Sequence, residues 1–414
     1  MRELDDWLED PEPRRFPFAA VLGEFQRVGK HFVDEELLKT LAVARDRLPG
    51  GDSAGVPAAA EPADADAAGV LERFLDTALD KFDGRYDYPT YTALSLLAPP
   101  RADARTVRVH RDRTVVRLLG DLVRFELAAA EGRTALFPEL RPDPVLVGKR
   151  HRLAVRVAAP ALRRLGLADP GGPAPSTDPA QAARRLWETV DASMSGPERL
   201  VLALSMLPVH TTHDEYLFIR VLQAFEATFT LLAAELRGAI TALDGGDRAR
   251  AVGRVTRAAG ALTESAPLFS LLATMQVEAF QTFREYTDGA SAIQSRAYKL
   301  VESLCRTPDA DRLHSHAYRS VPEVRAGVLA GRRTLDEAYA DARGDAHPAL
   351  GAAMEEFASA LRRWRQTHYR LAVRMLGTRP GTGATEGTPY LGEVRKIPVF
   401  DALHPTANAS ASAA

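Results

Sequence analysis

The chain has 414 residues, of which 46% are hydrophobic and 26% are charged, so it can bury one large or two modest cores. Its formal net charge of -2 gives no whole-chain attraction for nucleic acid or an anionic membrane. Cys305 is the single cysteine, which excludes an intramolecular disulfide, a four-cysteine iron–sulfur cluster and a multi-cysteine zinc site.

The first residues of the chain, Met-Arg-Glu-Leu-Asp-Asp, are charged and contain no apolar signal core. No uninterrupted apolar run reaches the roughly 18 residues that a membrane helix needs. We therefore expect a cytoplasmic protein that binds neither nucleic acid nor membrane.

Composition divides the chain into four expected parts. They are a helical extension over 1–47, a flexible linker over 48–69, a main domain over 70–400 and a disordered tail over 401–414. The linker is rich in Ala, Pro and Asp and lacks periodic apolar residues, as does a second stretch over 167–181. The tail ends in Asn-Ala-Ser-Ala-Ser-Ala-Ala, a composition typical of frayed termini.

Elsewhere, apolar residues recur at helical spacing. The predicted helices cover 18–48, 67–82, 88–97, 113–130, 213–237, 270–286, 293–304, 334–343 and 350–376. A weak alternation over 107–110 is typical of a short strand, but strand signals are otherwise sparse. The sequence thus predicts an all-α fold, built as a helical bundle.

The helix predicted over 213–237 has a continuous apolar stripe, formed by Phe218, Leu222, Phe225 and Phe229. Thr212 is its expected N-cap, and Glu215 three residues later completes a capping-box pattern. These features indicate a core helix. The alternative, a metal pair of His210 and His213, lacks a third ligand at a suitable spacing.

Phe280 and Arg284 lie four residues apart and share a helix face. An arginine beside an aromatic ring in an apolar helix needs an anionic partner, and a guanidinium group can hold a carboxylate by two parallel hydrogen bonds. The alternative is a surface ion pair with Glu285 or another acid.

His368 stands on the apolar face of the predicted helix over 350–376, and a loop of small residues follows at 381–387. One imidazole beside such a loop suits an axial haem ligand next to a substrate-binding segment. The alternative is a hydrogen-bonded core histidine.

Four segments carry a family pattern. In chain order they are Tyr88-x-x-Tyr91, His213-Asp214-Glu215-x-Leu217-Phe218-Ile219, Phe283-Arg284 with Ser291-x-x-Gln294-Ser295, and His368 with Arg374-x-x-Gly377 and Gly381-Thr382-Gly383. Together they resemble the tryptophan 2,3-dioxygenase superfamily, the histidine-ligated haem-dependent aromatic oxygenases. The resemblance covers roughly half of the chain.

The resemblance implies a role for each matching residue. His368 would be the proximal ligand of the iron of haem b, and Ser291 would lie near the haem edge. Arg284 would bind the substrate carboxylate, and Thr382 would bind its ammonium or carboxylate group. The remaining substrate-binding side chains would be Phe218, Leu222, Phe280, Tyr88 and Tyr91. A neighbouring subunit is one source of the two tyrosines, since family members are intertwined tetramers.

The chain also departs from the family pattern. Leu222 stands where the family dioxygenase has a distal histidine, and a leucine side chain cannot accept an indole N–H or relay a proton. Ile293 replaces a pocket aromatic residue. A segment over about 98–198 lies where the dioxygenases have only a short connection, so we interpret it as an insertion.

The favoured interpretation is a haem-dependent oxygenase that inserts oxygen from O2 into an aromatic amino acid or derivative of tryptophan or indole type. In this interpretation it is dioxygenase-like, belongs to specialised metabolism and forms a homo-oligomer, a dimer or tetramer. No catalytic side chain is assigned beyond the haem iron. The alternatives are a haem mono-oxygenase of a tyrosine- or indole-type substrate, a non-catalytic haem-binding protein and a helical scaffold without cofactor.

Overall fold

The described part of the chain consists mainly of helices. The structure, a computed structural model, describes residues 2–48, 62–99, 103–167, 178–342, 348–377, 381 and 387–403. Within these ranges there are twenty α-helices and three 3-10 helices, and the one β-type contact is an isolated bridge between Glu139 and Thr212. The predicted all-α fold is confirmed.

The amino-terminal helices are α1 (Arg2–Glu9), α2 (Phe18–Val28), α3 (Glu35–Asp46) and α4 (Pro62–Ala78), with 3-10 helices at Pro13–Arg15 and Lys30–Phe32. Their apolar faces form a small separate core around Phe25, Leu41 and Phe74. Leu204 and Leu207 join this core from the main domain. The extension therefore buries its own apolar stripe and packs onto the main domain through these two leucines.

Three of the expected flexible segments are partly ordered. The second stretch, 167–181, is one of them, because its last residues begin a helix over Pro179–Ala192 that Asp178 caps. Residues 62–69 belong to α4, so the linker prediction is wrong there; the alanine-rich sequence favours helix, and proline is tolerated at a first helical position. The predicted tail begins with ordered residues, because the backbone N–H groups of Asp401 and Ala402 both donate to the Asp336 carboxylate at 3.0 Å. The rest of the linker, 49–61, the rest of the tail, 404–414, and most of the second stretch, 168–177, lie outside the described residues.

The central helices are α5 (Tyr88–Tyr91), α6 (Ala104–Ala130), α7 (Pro144–Arg164), α8 (Pro179–Ala192), α9 (Gly196–Leu204), α10 (His213–Asp244) and α11 (Arg248–Ser265). Helix α10 lies in the middle and packs against α6 and α11, while α7 and α8 cover α6. The strand predicted over 107–110 is wrong. Asp103 caps α6 by accepting the backbone N–H of Thr106, and Val107 is buried in the helix interface.

The carboxyl-terminal helices are α12 (Pro267–Leu272), α13 (Val277–Arg284), α14 (Arg296–Cys305), α15 (Ala310–His314), α16 (His316–Arg319), α17 (Pro322–Leu329), α18 (Leu335–Ala342), α19 (Pro348–Leu376) and α20 (Thr388–Val394). A third 3-10 helix spans Ala292–Gln294. The single helix predicted over 270–286 is interrupted, because the Asp214 carboxylate accepts the backbone N–H of Gln276 at 2.7 Å and holds the chain between α12 and α13.

A buried polar cluster connects the helices of the predicted insertion to α10. The Arg150 guanidinium donates to Glu126 Oε1 at 2.7 Å and to Asp214 Oδ1 at 2.6 Å, and all three side chains are fully buried. Burial alone would raise the pKa of Glu126, but attraction to Arg150 lowers it to about 2. Arg150 therefore joins α6, α7 and α10 at one point.

Among the described helices, α10 is long and apolar enough to cross a membrane by length and composition. However, 72% of its most apolar stretch is buried inside the protein, as expected for the central helix of a bundle.

Candidate functional site

One cavity gathers the side chains that the sequence predicts for the site. It lies among α5, α10, α13, α14 and α19 and contains about 1590 Å³ of space not filled by atoms, counting its open mouth. Eight of the nine predicted residues line it: Tyr88, Tyr91, Phe218, Leu222, Phe280, Arg284, Ser291 and His368. The ninth, Thr382, lies outside the described residues, although the neighbouring Gly381 also borders the cavity.

His368 projects from the last third of α19 into this cavity. Its ring lies 5.2 Å from the Trp364 ring and 6.3 Å from the Phe269 ring, measured between centroids. No hydrogen-bond partner of the imidazole occurs in the described part of the chain, and burial lowers its pKa to about 4. The imidazole is therefore neutral at physiological pH, with ring nitrogen atoms not engaged by these residues. This is the form of histidine that binds a metal, so the site fits an axial haem ligand.

Aromatic side chains from α10 and α13 form one wall of the cavity. The Phe218 ring lies 5.9 Å from the Phe280 ring, edge to face, and 6.4 Å from the Tyr91 ring. Leu222 follows Phe218 by one helical turn and lines the same cavity. This wall is apolar and suits a flat aromatic ligand.

Helix α13 positions Arg284 beside the aromatic wall. The helix is only eight residues long, and Phe280 and Arg284 lie one turn apart near its end. Arg284 is half-buried and lines the cavity, so it is not a purely surface arginine. The chain then turns at Gly289, whose φ of 94° favours glycine, before it reaches Ser291.

Both predicted tyrosines reach the cavity from the same chain. The Tyr88 hydroxyl donates to Glu226 Oε1 at 3.0 Å, and the Tyr91 hydroxyl donates to Glu215 Oε1 at 3.2 Å. Gln294 holds this segment in place, because its Oε1 accepts the backbone N–H of Tyr88 at 3.0 Å and that of Ser291 at 2.9 Å. In this structure the tyrosine pair of the cavity comes from the chain's own α5.

The capping box predicted at the start of α10 is wrong. Thr212 occupies the N-cap position but makes no side-chain capping bond; its Oγ1 instead lies 2.7 Å from His210 Nδ1. Glu215 accepts the backbone N–H groups of Val209 at 2.7 Å and of His210 at 3.0 Å, in addition to the Tyr91 hydroxyl. The carboxylate thus accepts three hydrogen bonds and holds the loop that precedes the helix.

The alternative metal pair is not assembled. The His210 ring stacks on Tyr286 at 4.7 Å, and His213 Nε2 lies 3.1 Å from the carboxylate of Glu126 in the Arg150 cluster. No group of three or more His, Cys, Asp or Glu side chains suited to a metal ion occurs among the residues that the structure describes.

Glu226 is a polar residue of the cavity that the sequence patterns did not indicate. It follows Leu222 by one turn of α10, is 4% exposed and accepts hydrogen bonds from the hydroxyl groups of Tyr88 and Ser295. Burial raises its pKa to about 7, although both hydrogen bonds oppose the shift. The only indication in the sequence is that Glu226 lies on the same helix face as Phe218 and Leu222, an apolar face on which a carboxylate is unexpected.

The raised pKa of Glu226 makes the stability of the protein depend on pH. The native state holds this proton more tightly than the unfolded state, so the contribution is complete below pH 4 and is lost as the pH rises towards 7. We expect Glu226→Gln to gain stability relative to the wild type by up to about 1.4 kcal/mol per pH unit between pH 5 and 7. Urea unfolding across this range measures it. Glu393→Gln changes an exposed glutamate and serves as the control, so its stability relative to the wild type should not depend on pH. If the stability of Glu226→Gln changed with pH as that of the wild type does, the raised pKa of Glu226 would be contradicted.

Comparison with known proteins identifies relatives. The profile of the tryptophan 2,3-dioxygenase family matches residues 199–328, which include Phe218, Arg284 and Ser291 but not His368. The tryptophan 2,3-dioxygenase of Ruegeria pomeroyi is 27% identical over 268 residues, which cover 55% of this chain and 96% of that protein.

Two further relatives have the same sequence identity and similar coverage. The tryptophan 2,3-dioxygenase of Polaromonas sp. JS666 is 27% identical over 233 residues, 47% of this chain and 79% of that protein. The enzyme of the same name from Bordetella pertussis is also 27% identical over 233 residues, 47% of this chain and 82% of its own length. The all-α fold and these matches support membership of the tryptophan 2,3-dioxygenase superfamily, as a divergent member.

Proposed function

We propose that the protein is a haem-dependent oxygenase that inserts oxygen from O2 into an aromatic amino acid or a close derivative, of tryptophan or indole type. The observation that carries the proposal is the neutral His368 imidazole, which projects into a cavity that is lined by aromatic rings and also contains Arg284. Membership of a family of tryptophan 2,3-dioxygenases supports it.

In this proposal His368 is the proximal ligand of haem b, and Ser291 borders the cofactor. The haem supplies the activation of O2, while the protein supplies orientation and polarity. The apolar wall around Phe218 excludes water from the ring of the substrate and limits side reactions.

Arg284 fixes the substrate in this proposal. Its guanidinium group holds the carboxylate of the amino acid by two hydrogen bonds, so that the aromatic ring lies along Phe218 and Phe280. Such fixation lowers the barrier by removing orientational freedom before the reaction, an effect of about 7 kcal/mol in well-oriented cases. We retain Thr382 as a second contact to the amino-acid end of the substrate.

The dioxygenase-like outcome is the first candidate. Cleavage of the indole C2–C3 bond with retention of both oxygen atoms needs no external electrons. Leu222 is compatible with it, because a proton relay is unnecessary if oxygen is delivered directly to the ring carbon. Leu222 also motivates the second candidate, a mono-oxygenase of a tyrosine- or indole-type substrate, since its side chain neither accepts nor donates a proton. That reaction requires a reductant or peroxide.

Oxygen uptake tests the proposal. The haem-loaded, reduced protein should consume one O2 per aromatic amino acid without added reductant, and the product mass should increase by both oxygen atoms. Product formation only with added peroxide, or O2 uptake only with an added reductant, each with one oxygen atom retained in the product, would favour the mono-oxygenase. Full haem loading without turnover of tryptophan, tyrosine or their analogues would contradict both candidates.

Arg284→Ala should weaken the binding of tryptophan about 100-fold, because two charge-assisted hydrogen bonds to the carboxylate are lost. The affinity for tryptamine, which has no carboxylate, should change little. Ligand-induced changes in the haem spectrum measure both. Arg370→Ala, an exposed arginine on α19, is the matched control. Equal effects of Arg284→Ala on the two ligands would show that Arg284 does not bind the carboxylate.

A further inference from the structure

The inner wall of the cavity carries more positive charge than its own acids neutralise. Lys299 of α14 and Arg365 of α19 belong to this wall, and Glu302 and Arg312 interact electrostatically with Lys299. Arg312 donates to both oxygen atoms of Glu302, at 2.8 Å and 3.0 Å, and these two charges cancel. Lys299 and Arg365, which both line the cavity, remain as two further cations.

Lys299 is almost completely buried without a hydrogen-bonded partner. Its side chain is 3% exposed, and the nearest paired oxygen, Glu302 Oε2, is 4.0 Å from Nζ, beyond hydrogen-bond distance. Nζ lies over the rings of Tyr298 and Tyr318, at 5.1 Å and 5.7 Å from their centroids. Within the described part of the chain no acceptor takes any of its three N–H groups.

Arg365 is also buried, and its hydrogen-bond partners among the described residues are all neutral. Its Nε donates to the Tyr298 hydroxyl at 2.9 Å, and Nη1 donates to the carbonyl of Ile397 at 2.7 Å. Both cations therefore contact Tyr298, Arg365 at its hydroxyl group and Lys299 over its ring. Burying a cation without a hydrogen-bonded carboxylate is costly, and a ligand that supplied one would reduce the cost.

We propose that Lys299 and Arg365 form a binding subsite for a carboxylate group of a ligand in this cavity. The cofactor is the favoured source, because Arg365 precedes His368 by three residues and so shares its face of α19. A porphyrin bound through His368 carries its two carboxylates on one edge of the ring. This assignment of the source rests on the proposed haem function.

The protonation of Lys299 agrees with the geometry. Burial lowers its pKa to about 7; Glu302 opposes the shift, and Arg312 and Arg365 add to it. A bound carboxylate would stabilise the protonated amine at the position where the structure provides no hydrogen-bonded counter-charge.

Blocking the carboxylates of the porphyrin tests the subsite. The protein is titrated with ferric haem and with its dimethyl ester, and the Soret band is followed. We expect the wild type to bind haem at least about tenfold more tightly than the ester. Lys299→Met should remove most of this ratio, Lys299→Arg should retain it, and Lys39→Met, an exposed lysine in the extension, should leave it unchanged.

A second measurement separates this role from a structural one. Without haem, Lys299→Met should melt at the same temperature as the wild type or higher, because a buried cation without a hydrogen-bonded counter-charge is removed, while Glu302 keeps its two hydrogen bonds from Arg312. A lower melting temperature together with an unchanged haem-to-ester ratio would assign Lys299 to the fold and overturn the subsite.

The substrate is the other source of a carboxylate. If Lys299→Met keeps the haem-to-ester ratio but lowers the affinity for tryptophan relative to tryptamine, the carboxylate is that of the substrate. Equal binding of haem and ester by the wild type, with no effect of Lys299→Met on either pair of ligands, would overturn the subsite alone. Failure of the wild type to bind either porphyrin would overturn the proposed function and the subsite with it.

Discussion

His368→Ala is expected to abolish stable haem binding, with affinity reduced by more than about 100-fold, since changes to groups that only support a metal ligand already cost 10- to 100-fold. The wild type should show a Soret band with ferrous features typical of histidine ligation, and the variant should not. The physical reason is that the imidazole is neutral, is not engaged in a hydrogen bond by the described residues, and has a ring nitrogen whose lone pair can bind iron.

The low pKa of His368 adds a second expectation to the same experiment. Because burial lowers this pKa to about 4, protons should not compete with iron for the imidazole until the pH falls to about 4–5. Haem loading by the wild type should therefore persist at pH 6.

Two controls show whether the loss of haem binding is specific to the imidazole of His368. His314→Ala changes an exposed histidine and should load haem normally. Added imidazole should restore a histidine-like spectrum to His368→Ala, because the truncation leaves a space of suitable shape. A variant that retained the wild-type spectrum without imidazole would show that another residue binds the iron.

Arg150→Met is expected to lower the free energy of unfolding by about 3–5 kcal/mol, the usual cost of removing one partner from a buried ion pair. Methionine fills much of the same space, but Glu126 and Asp214 would keep their negative charges in a fully buried place. Urea unfolding at pH 7 measures the loss. Since Arg150 joins α6, α7 and α10, the destabilisation should extend over all three helices.

The matched control for Arg150 lies two residues away on the same helix. Arg152 is exposed, and Arg152→Met should change the unfolding free energy by less than about 0.5 kcal/mol. Adding Glu126→Gln to Arg150→Met should recover part of the loss, because one unpaired charge disappears. If Arg150→Met cost no more than Arg152→Met, the cluster would not contribute to stability.

The sequence predicted those features that depend on local periodicity. The helical stripes gave the fold class, and the short-range motifs identified His368, Arg284 and the aromatic wall, which the structure brings to one cavity. Roles of these residues in binding haem and substrate remain predictions. The strand at 107–110 failed because four alternating residues cannot be distinguished from a helix that is buried on one side.

Features that depend on distant partners were not predictable. The Arg150 side chain meets Asp214 across 64 positions, and Tyr88 meets Glu226 across 138. No local pattern carries such pairings, so the sequence patterns assigned no role to Arg150, Glu226 or Lys299. The capping box failed for the same reason: Glu215 found donors in the preceding loop and in Tyr91 that helix statistics do not consider.

The amide oxygen of Gln294 has a consequence for the kinetics of ligand entry. A single atom accepts the backbone N–H groups of both Tyr88 and Ser291, so the side chain of Gln294 joins the two segments, which can separate only when one of these hydrogen bonds breaks. They should therefore move as a rigid unit, and this end of the cavity is already ordered before a ligand arrives. A ligand that binds there pays little entropy to organise the wall, and its rate of entry is set by other parts of the rim.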